Sequence, residues 1–141
     1  MTGPSSTPPA AGPVVVGFVP NTQGRAALEQ GIAEARLRGT RLLVVNSAGS
    51  DAFADGKRAG EEDLDVLRTQ LDAAGVEHEI RQLGSQQSPS EHLVSLAEEV
   101  DAALLVIGLR RRSLVGKLIM GSNAQRILID ATVPVLAVKA R

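Results

Sequence analysis

The sequence of 141 residues predicts a single α/β domain, a doubly wound five-stranded parallel sheet flanked by helices. Three observations predict it. Four short apolar runs, at residues 14–19, 41–45, 102–107 and 134–138, have the length and β-branched content of buried strands. A fifth segment, residues 76–83, alternates between apolar and charged positions. Between consecutive strands the apolar residues recur at helical spacing, so the order reads β-α-β-α-β-α-β-α-β. Continuous apolar strands alternating with helices imply a parallel sheet covered on both faces, with right-handed crossovers.

Residues 1–13 carry Pro, Ser, Thr, Ala and Gly without periodicity and are expected to form a disordered tail before the domain at 14–141. The first strand runs to Val19. Asn21 or Thr22 can cap the helix that follows. That helix sets Leu28, Ile32 and Ala35 on one face and ends near Gly39. After the second strand, residues 46–60 read as a loop rich in Gly, Ala, Ser and Asp. Leu64, Leu67 and Leu71 mark a second helix that stops at Gly75, with Glu61, Glu62, Asp63 and Asp65 suited to its N-terminal turn.

The third strand places Val76 and Ile80 on one face and Glu77, Glu79 and Arg81 on the other, a pattern suited to a sheet edge. Ser88-Pro89-Ser90-Glu91 is a capping box with proline at the first helical position. Leu93, Leu96, Ala97 and Val100 continue that helix as one stripe. Residues 122–125 form another capping box, and Ile127, Leu128 and Ala131 extend the last helix before the final strand.

The composition excludes several classes of function. A net charge of −1 argues against a general nucleic-acid coat protein. With two Phe and no Trp or Tyr, base-stacking recognition of single strands is not expected. There is no cysteine, hence no disulfide, thiolate or cysteine metal site. No apolar run approaches a membrane span and no signal-peptide pattern opens the chain, so a cytoplasmic protein is expected. His78 and His92 have no second ligand at metal-like spacing.

The most informative stretch joins the fourth strand to the last helix: Gly108-Leu109-Arg110-Arg111-Arg112 through Gly116-Lys117 to Gly121-Ser122. A glycine-bearing loop that feeds a helix N-terminus aims backbone N–H groups and the helix dipole at one spot, where a phosphate can sit. Arg110, Arg111, Arg112 and Lys117 add positive charge. The same residues also read as a helix cap and a solvated basic loop. Gly17 and Asn21, where the first strand meets its helix, can floor a ligand or simply form a turn. A Walker loop, a dinucleotide fingerprint and a Ser-Gly-Gly-x-Asp-Ser loop after the first strand are all absent from the sequence.

The spacing Gly108, Arg111, Gly121-Ser122 resembles the Gly-x2-Gly-x9-Gly-Ser/Thr loop of nucleotide-binding universal stress proteins, with Arg111 at the second glycine. The continuation through Asn123, Ala124, Gln125, Arg126, Ile127 and Leu128, and the closing Pro134-Val135-Leu136-Ala137-Val138 strand, resemble that family too. The likeness covers residues 14–141. It implies a Rossmann-like fold and a cytoplasmic stress-response protein, a homodimer, with at most weak ATP hydrolysis and no catalytic residue. It also implies ATP or another adenine nucleotide, with Mg²⁺, held by Gly108, Arg110, Arg111, Gly121, Ser122 and Asn123, with Val45 on the adenine side.

One residue departs from the pattern at the first strand. ATP-binding members carry an aspartate there to contact the nucleoside, whereas this chain has Val19, whose side chain accepts no hydrogen bond. Two readings follow. In one, the protein binds an adenine nucleotide at the loop after the fourth strand. In the other, it is a dimeric interaction or regulatory module without nucleotide. The last strand, apolar on both faces, is expected to pair with its copy across a twofold axis. Neither nucleic acid nor a membrane is expected as a partner.

Overall fold

A computed structural model describes residues 12–46, 54–82, 88–109 and 122–140. Nine elements follow one another: β1 (Val14–Phe18), α1 (Thr22–Arg38), β2 (Leu42–Asn46), α2 (Ala54–Ala74), β3 (His78–Gln82), α3 (Pro89–Glu99), β4 (Leu104–Leu109), α4 (Ser122–Asp130) and β5 (Val135–Lys139). The five strands form one parallel sheet in the order β3-β2-β1-β4-β5. The alternating strand β3 lies at one edge, as its half-polar pattern predicts. The final strand β5 forms the other edge, and its first four residues are only half-buried.

Alternate residues of each strand serve opposite faces. Val14, Val16, Leu42, Val44, Leu104 and Val106 pack in a cluster with Ala27, Leu28, Ile32 and Ala35 of α1 and Leu67 and Leu71 of α2. Val15, Leu43, Val45, Leu105 and Ile107 pack on the other face with Leu93, Leu96 and Ala97 of α3 and Ile127 of α4. The central strands are therefore covered twice, which is why they read as unbroken apolar runs. Each fully buried Val or Leu contributes about 1.5–3 kcal/mol by leaving water.

Local chemistry sets the helix ends. The Asn21 side-chain oxygen accepts from the Gly24 N–H at 2.8 Å, and α1 closes at Gly39 in the left-handed conformation (φ 64°). Gly75, after α2, adopts the same conformation (φ 70°). Ser88 accepts from the Glu91 N–H at 3.3 Å, with Pro89 opening α3.

Several boundaries differ from the sequence reading. Pairing begins at Val14 opposite Leu42 and Leu104, so β2 and β4 start later than their apolar runs. Both strands also run further, β2 through Asn46 opposite Phe18, and β4 through Leu109 opposite Lys139. The 46–60 loop is shorter than expected at both ends. Asn46 belongs to β2, and α2 already begins at Ala54, drawing residues 54–60 into helix. Glu61, Glu62, Asp63 and Asp65 consequently lie within α2 and not in its first turn. Ser122 is the first residue of α4, so the cap position falls on residue 121, outside the described residues. Gly12 and Pro13 pack on the domain: the Gly12 carbonyl accepts from the Thr40 hydroxyl at 3.1 Å, and the Pro13 carbonyl from the Ala103 N–H at 3.0 Å.

Candidate functional site

The strand order reverses between β1 and β4. From β1 the chain builds outward through β2 and β3, then returns to place β4 on the other side of β1. Ligands of open parallel sheets bind beyond the carboxyl ends of the strands at such a switch point. Here β1 and β4 pair from Val14↔Leu104 to Val16↔Val106, and their last residues are not paired with each other. Helix α1 begins just beyond β1, and α4 follows β4 in sequence.

Glycine lets α1 settle close to both strand ends. A Cβ on Gly24 would lie 1.8 Å from the Val19 carbonyl oxygen, and one on Gly108 would lie 2.0 Å from that of Gln23. The first turn of α1 thus rests on the backbone of both strands. Gly17, also in β1, makes room for Leu93: a Cβ there would come within 2.8 Å of that side chain. The corner formed by Gly17 and Asn21 is accounted for by packing and helix capping.

The expected site residues distribute as follows. Gly108 belongs to β4, opposite Val138, and not to the loop. Its lack of a side chain is used against α1, a role that the loop reading did not foresee. Val19 is half-buried just past β1. Val45 is fully buried in the face shared with α3 and α4, between Gly17 and Arg81 in register, so its side chain is spent in the core. Ser122 opens α4 and Asn123 is exposed in its first turn. Arg110, Arg111 and Gly121, together with Arg112 and Lys117, lie outside the described residues.

Two buried polar side chains stand out among the described residues, Asn46 (3% exposed) at the carboxyl end of β2 and Ser90 (2%) in the first turn of α3. The Ser90 hydroxyl lies 3.3 Å from that of Ser88. Both serines line a cleft of about 540 Å³ between α3 and α4, with Asn123 and Arg126 on its far wall. Glu91 and Arg126 face each other across it at 3.7 Å. The sequence reading placed residue 46 at the start of a loop and missed Gln23 and Gly24 altogether. A glycine inside the first turn of a helix, where propensity disfavours it, was the available signal.

Neither histidine joins a metal-like cluster, and among the described residues no group of three or more His, Asp or Glu could hold a metal ion. His78 is tied locally, its Nδ1 2.8 Å from the Val76 carbonyl. His92 holds a buried Nδ1 without a hydrogen-bond partner. Among the described residues no helix is long and apolar enough to cross a membrane.

Comparison with known proteins places this architecture. Residues 11–139 match the model of the universal stress protein family. A universal stress protein of Mycolicibacterium smegmatis is 44% identical over 126 residues, covering 89% of this chain and 96% of the relative. The structure of a universal stress protein from Archaeoglobus fulgidus superposes with a TM-score of 0.76 at 34% identity, over 90% of this chain and 98% of that one. Another universal stress protein from A. fulgidus, solved in complex with dAMP, superposes with a TM-score of 0.71 at 28% identity, over 92% and 99% of the two chains. Sequence, topology and coverage agree, and the chain belongs to the universal stress protein family.

Proposed function

We propose that this protein binds an adenine nucleotide at the switch point beyond β1 and β4. The phosphates would lie at the N-terminus of α4, against Gly121, Ser122 and Asn123, with Arg110 and Arg111 as counter-charges. The observation that carries this reading is topological. The strand order reverses between β1 and β4, and α1 starts directly beyond β1. The A. fulgidus relative in complex with dAMP supports it.

Such a protein would act as a nucleotide-dependent switch in a cytoplasmic stress response. No general base is identified in the loop sequence, so ATP hydrolysis would be weak at best. Mg²⁺ would accompany a bound triphosphate, sharing its charge with the arginines. The working form would be a homodimer joined through β5, whose half-buried apolar residues form an open sheet edge.

A second reading has a specific observation in its favour. Gly108 is fully occupied by its contact with the backbone of Gln23, and Val19 offers no acceptor in its side chain. Both facts suit a dimeric interaction module that binds no nucleotide.

Calorimetric titration of ATP, ADP, AMP and cyclic AMP, with and without magnesium, separates the two. Binding that a Gly121→Ala/Ser122→Ala variant loses supports the nucleotide site. A folded protein that binds none of the four at millimolar ligand refutes it and leaves the interaction module.

A further inference from the structure

Strand β3 carries its charges in an order that matches itself. Among the described residues it pairs with β2 alone. The Leu42 N–H donates to the Glu77 carbonyl at 2.9 Å, so Glu77 turns its backbone toward β2. Backbone groups alternate in direction along a strand, and Glu79 and Arg81 therefore face β2 as well. His78, Ile80 and Gln82 turn their N–H and C=O groups outward, where no described strand meets them. Glu79 and Arg81 sit beside Leu43 and Val45 in register, on the α3 side of the sheet. Arg81 Nε donates to Glu79 Oε2 at 2.7 Å, and both side chains are 43% exposed.

An antiparallel copy can bond to this edge only with an outward-facing residue on the twofold axis. With Ile80 on the axis, Ile80 bonds its own copy, and His78 bonds the partner's Gln82. The residues between them then meet as close, non-hydrogen-bonded pairs. Glu79 faces the partner's Arg81, and Arg81 the partner's Glu79, with Cβ atoms about 4.5–5.5 Å apart. With His78 on the axis, Glu79 would face the partner's Glu77, a like-charge pair that opposes docking. With Gln82 on the axis, most of β3 would face residues beyond the strand. Charges on an edge ordinarily keep strands apart. Here hydrogen bonding and charge select the same register.

We infer that the β3 edge is a self-recognition surface whose occupant is a second copy of this chain, docked antiparallel about Ile80 and fixed by reciprocal Glu79–Arg81 pairs. This goes beyond the nucleotide reading and does not depend on β5, which lies at the opposite edge of the sheet. The strand is five residues long and mostly polar, so the contact belongs to the weak, salt-sensitive class. It should form at hundreds of micromolar and join, two by two, whatever species exists at micromolar concentration.

Sedimentation equilibrium of the full chain from about 10 µM to about 0.5 mM tests it, the range in which a small polar interface forms. The average mass should rise with concentration, and the rise should shrink in high salt. Glu79→Arg and Arg81→Glu each set like charges opposite one another and should lower the association constant by about tenfold or more. An equimolar mixture of the two variants restores opposite charges at both positions and should recover the association. A wild-type mass that does not rise overturns the inference. So does a rise that both reversals leave unchanged, or a mixture that stays as dissociated as its components. Neither reversal touches β5, so failure of this contact leaves that pairing standing. Should a reversal fail to fold by circular dichroism, amide hydrogen exchange of the wild type decides. The N–H groups of His78, Ile80 and Gln82 should gain protection as concentration rises, and equal exchange at both ends of the range overturns the pairing.

Discussion

Gly108 of β4 and Gln23 of α1 meet backbone to backbone, so closely that a Cβ on Gly108 would lie 2.0 Å from the Gln23 carbonyl oxygen. The atom in the way belongs to the main chain of a packed helix and cannot swing aside. The first glycine of the family-like loop spacing is therefore required by the fold, whatever the loop binds. Gly108→Ala should lower unfolding free energy by about 1–3 kcal/mol, the usual cost of forcing extra volume into a packed site. Urea denaturation without ligand measures it, and a loss below about 0.5 kcal/mol would show that α1 shifts freely away from β4.

The cap of α1 holds the same corner from the other side. Asn21→Ala removes the acceptor of the Gly24 N–H and should cost about 1 kcal/mol. Asn21→Asp keeps the acceptor and should recover most of the loss. Equal stability of Asn21→Ala and wild type in thermal melts would mean that solvent replaces the cap fully.

The sheet and its helices were legible because their signals are periodic and local. Val14, Val15 and Val16 leave no polar face, which only a strand covered twice can tolerate, and they pack into both core layers. Gly39 and Gly75 mark helix ends by the left-handed backbone that glycine readily adopts. Family membership was legible for the same reason, since the Gly121-Ser122 spacing and the closing Pro-Val-Leu-Ala-Val strand stand in linear sequence. The start of α2 was not. Gly, Ser and Asp across 46–60 resemble a loop locally, yet the helix extends to Ala54. The contacts of Gly108 with Gln23 and of Gly24 with Val19 join residues from different elements, and no linear spacing encodes them. The loop residues Arg110, Arg111 and Gly121 lie outside the described residues, so their role rests on the resemblance and on the titrations above.

Two surface carboxylates give a pH dependence whose sign is fixed. A hydrogen bond from Arg38, with a second from Gln30, holds the Glu34 carboxyl below its ordinary value of 4.5. A hydrogen bond from Arg81 does the same for Glu79. A depressed folded value means that the contribution is complete above the unfolded value and disappears as pH falls through the folded one. The Arg81–Glu79 pair is exposed and the Arg38–Glu34 pair partly so, which keeps the effect small and weakened by salt. A Glu34→Gln/Glu79→Gln variant should be less stable than wild type at pH 7 and approach it as pH falls below 4.5. A stability gap that is the same at both pH values would show that these pairs contribute no pH-dependent term.

The open edge at β5 leads to the last prediction. Val135, Leu136, Ala137 and Val138 are each half-buried in the single chain, and among the described residues β5 pairs with β4 alone in the sheet. The strand ends in Lys139, a single charge against four apolar residues, which is little protection for an exposed edge. An antiparallel pair about a twofold axis through Ala137 would set Leu136 opposite the partner's Val138 and bury both. Ile129, 80% exposed on α4, is a further large apolar side chain that the single chain leaves in water. Sedimentation at micromolar concentration should therefore give twice the chain mass of 14.7 kDa. Leu136→Asp/Val138→Asp would place like charges opposite one another and should return the protein to monomer. Because Leu136 and Val138 also pack against the core beside α1, this variant needs a control for folding. Ala137→Glu tests the same pairing from the opposite face of the strand, where Ala137 packs beside the second core cluster, by setting two carboxylates against each other at the twofold axis, and circular dichroism checks the folding of both variants. A monomeric wild type at these concentrations refutes the pairing. A dimer that survives both variants with helical circular dichroism intact would place the interface elsewhere on the surface.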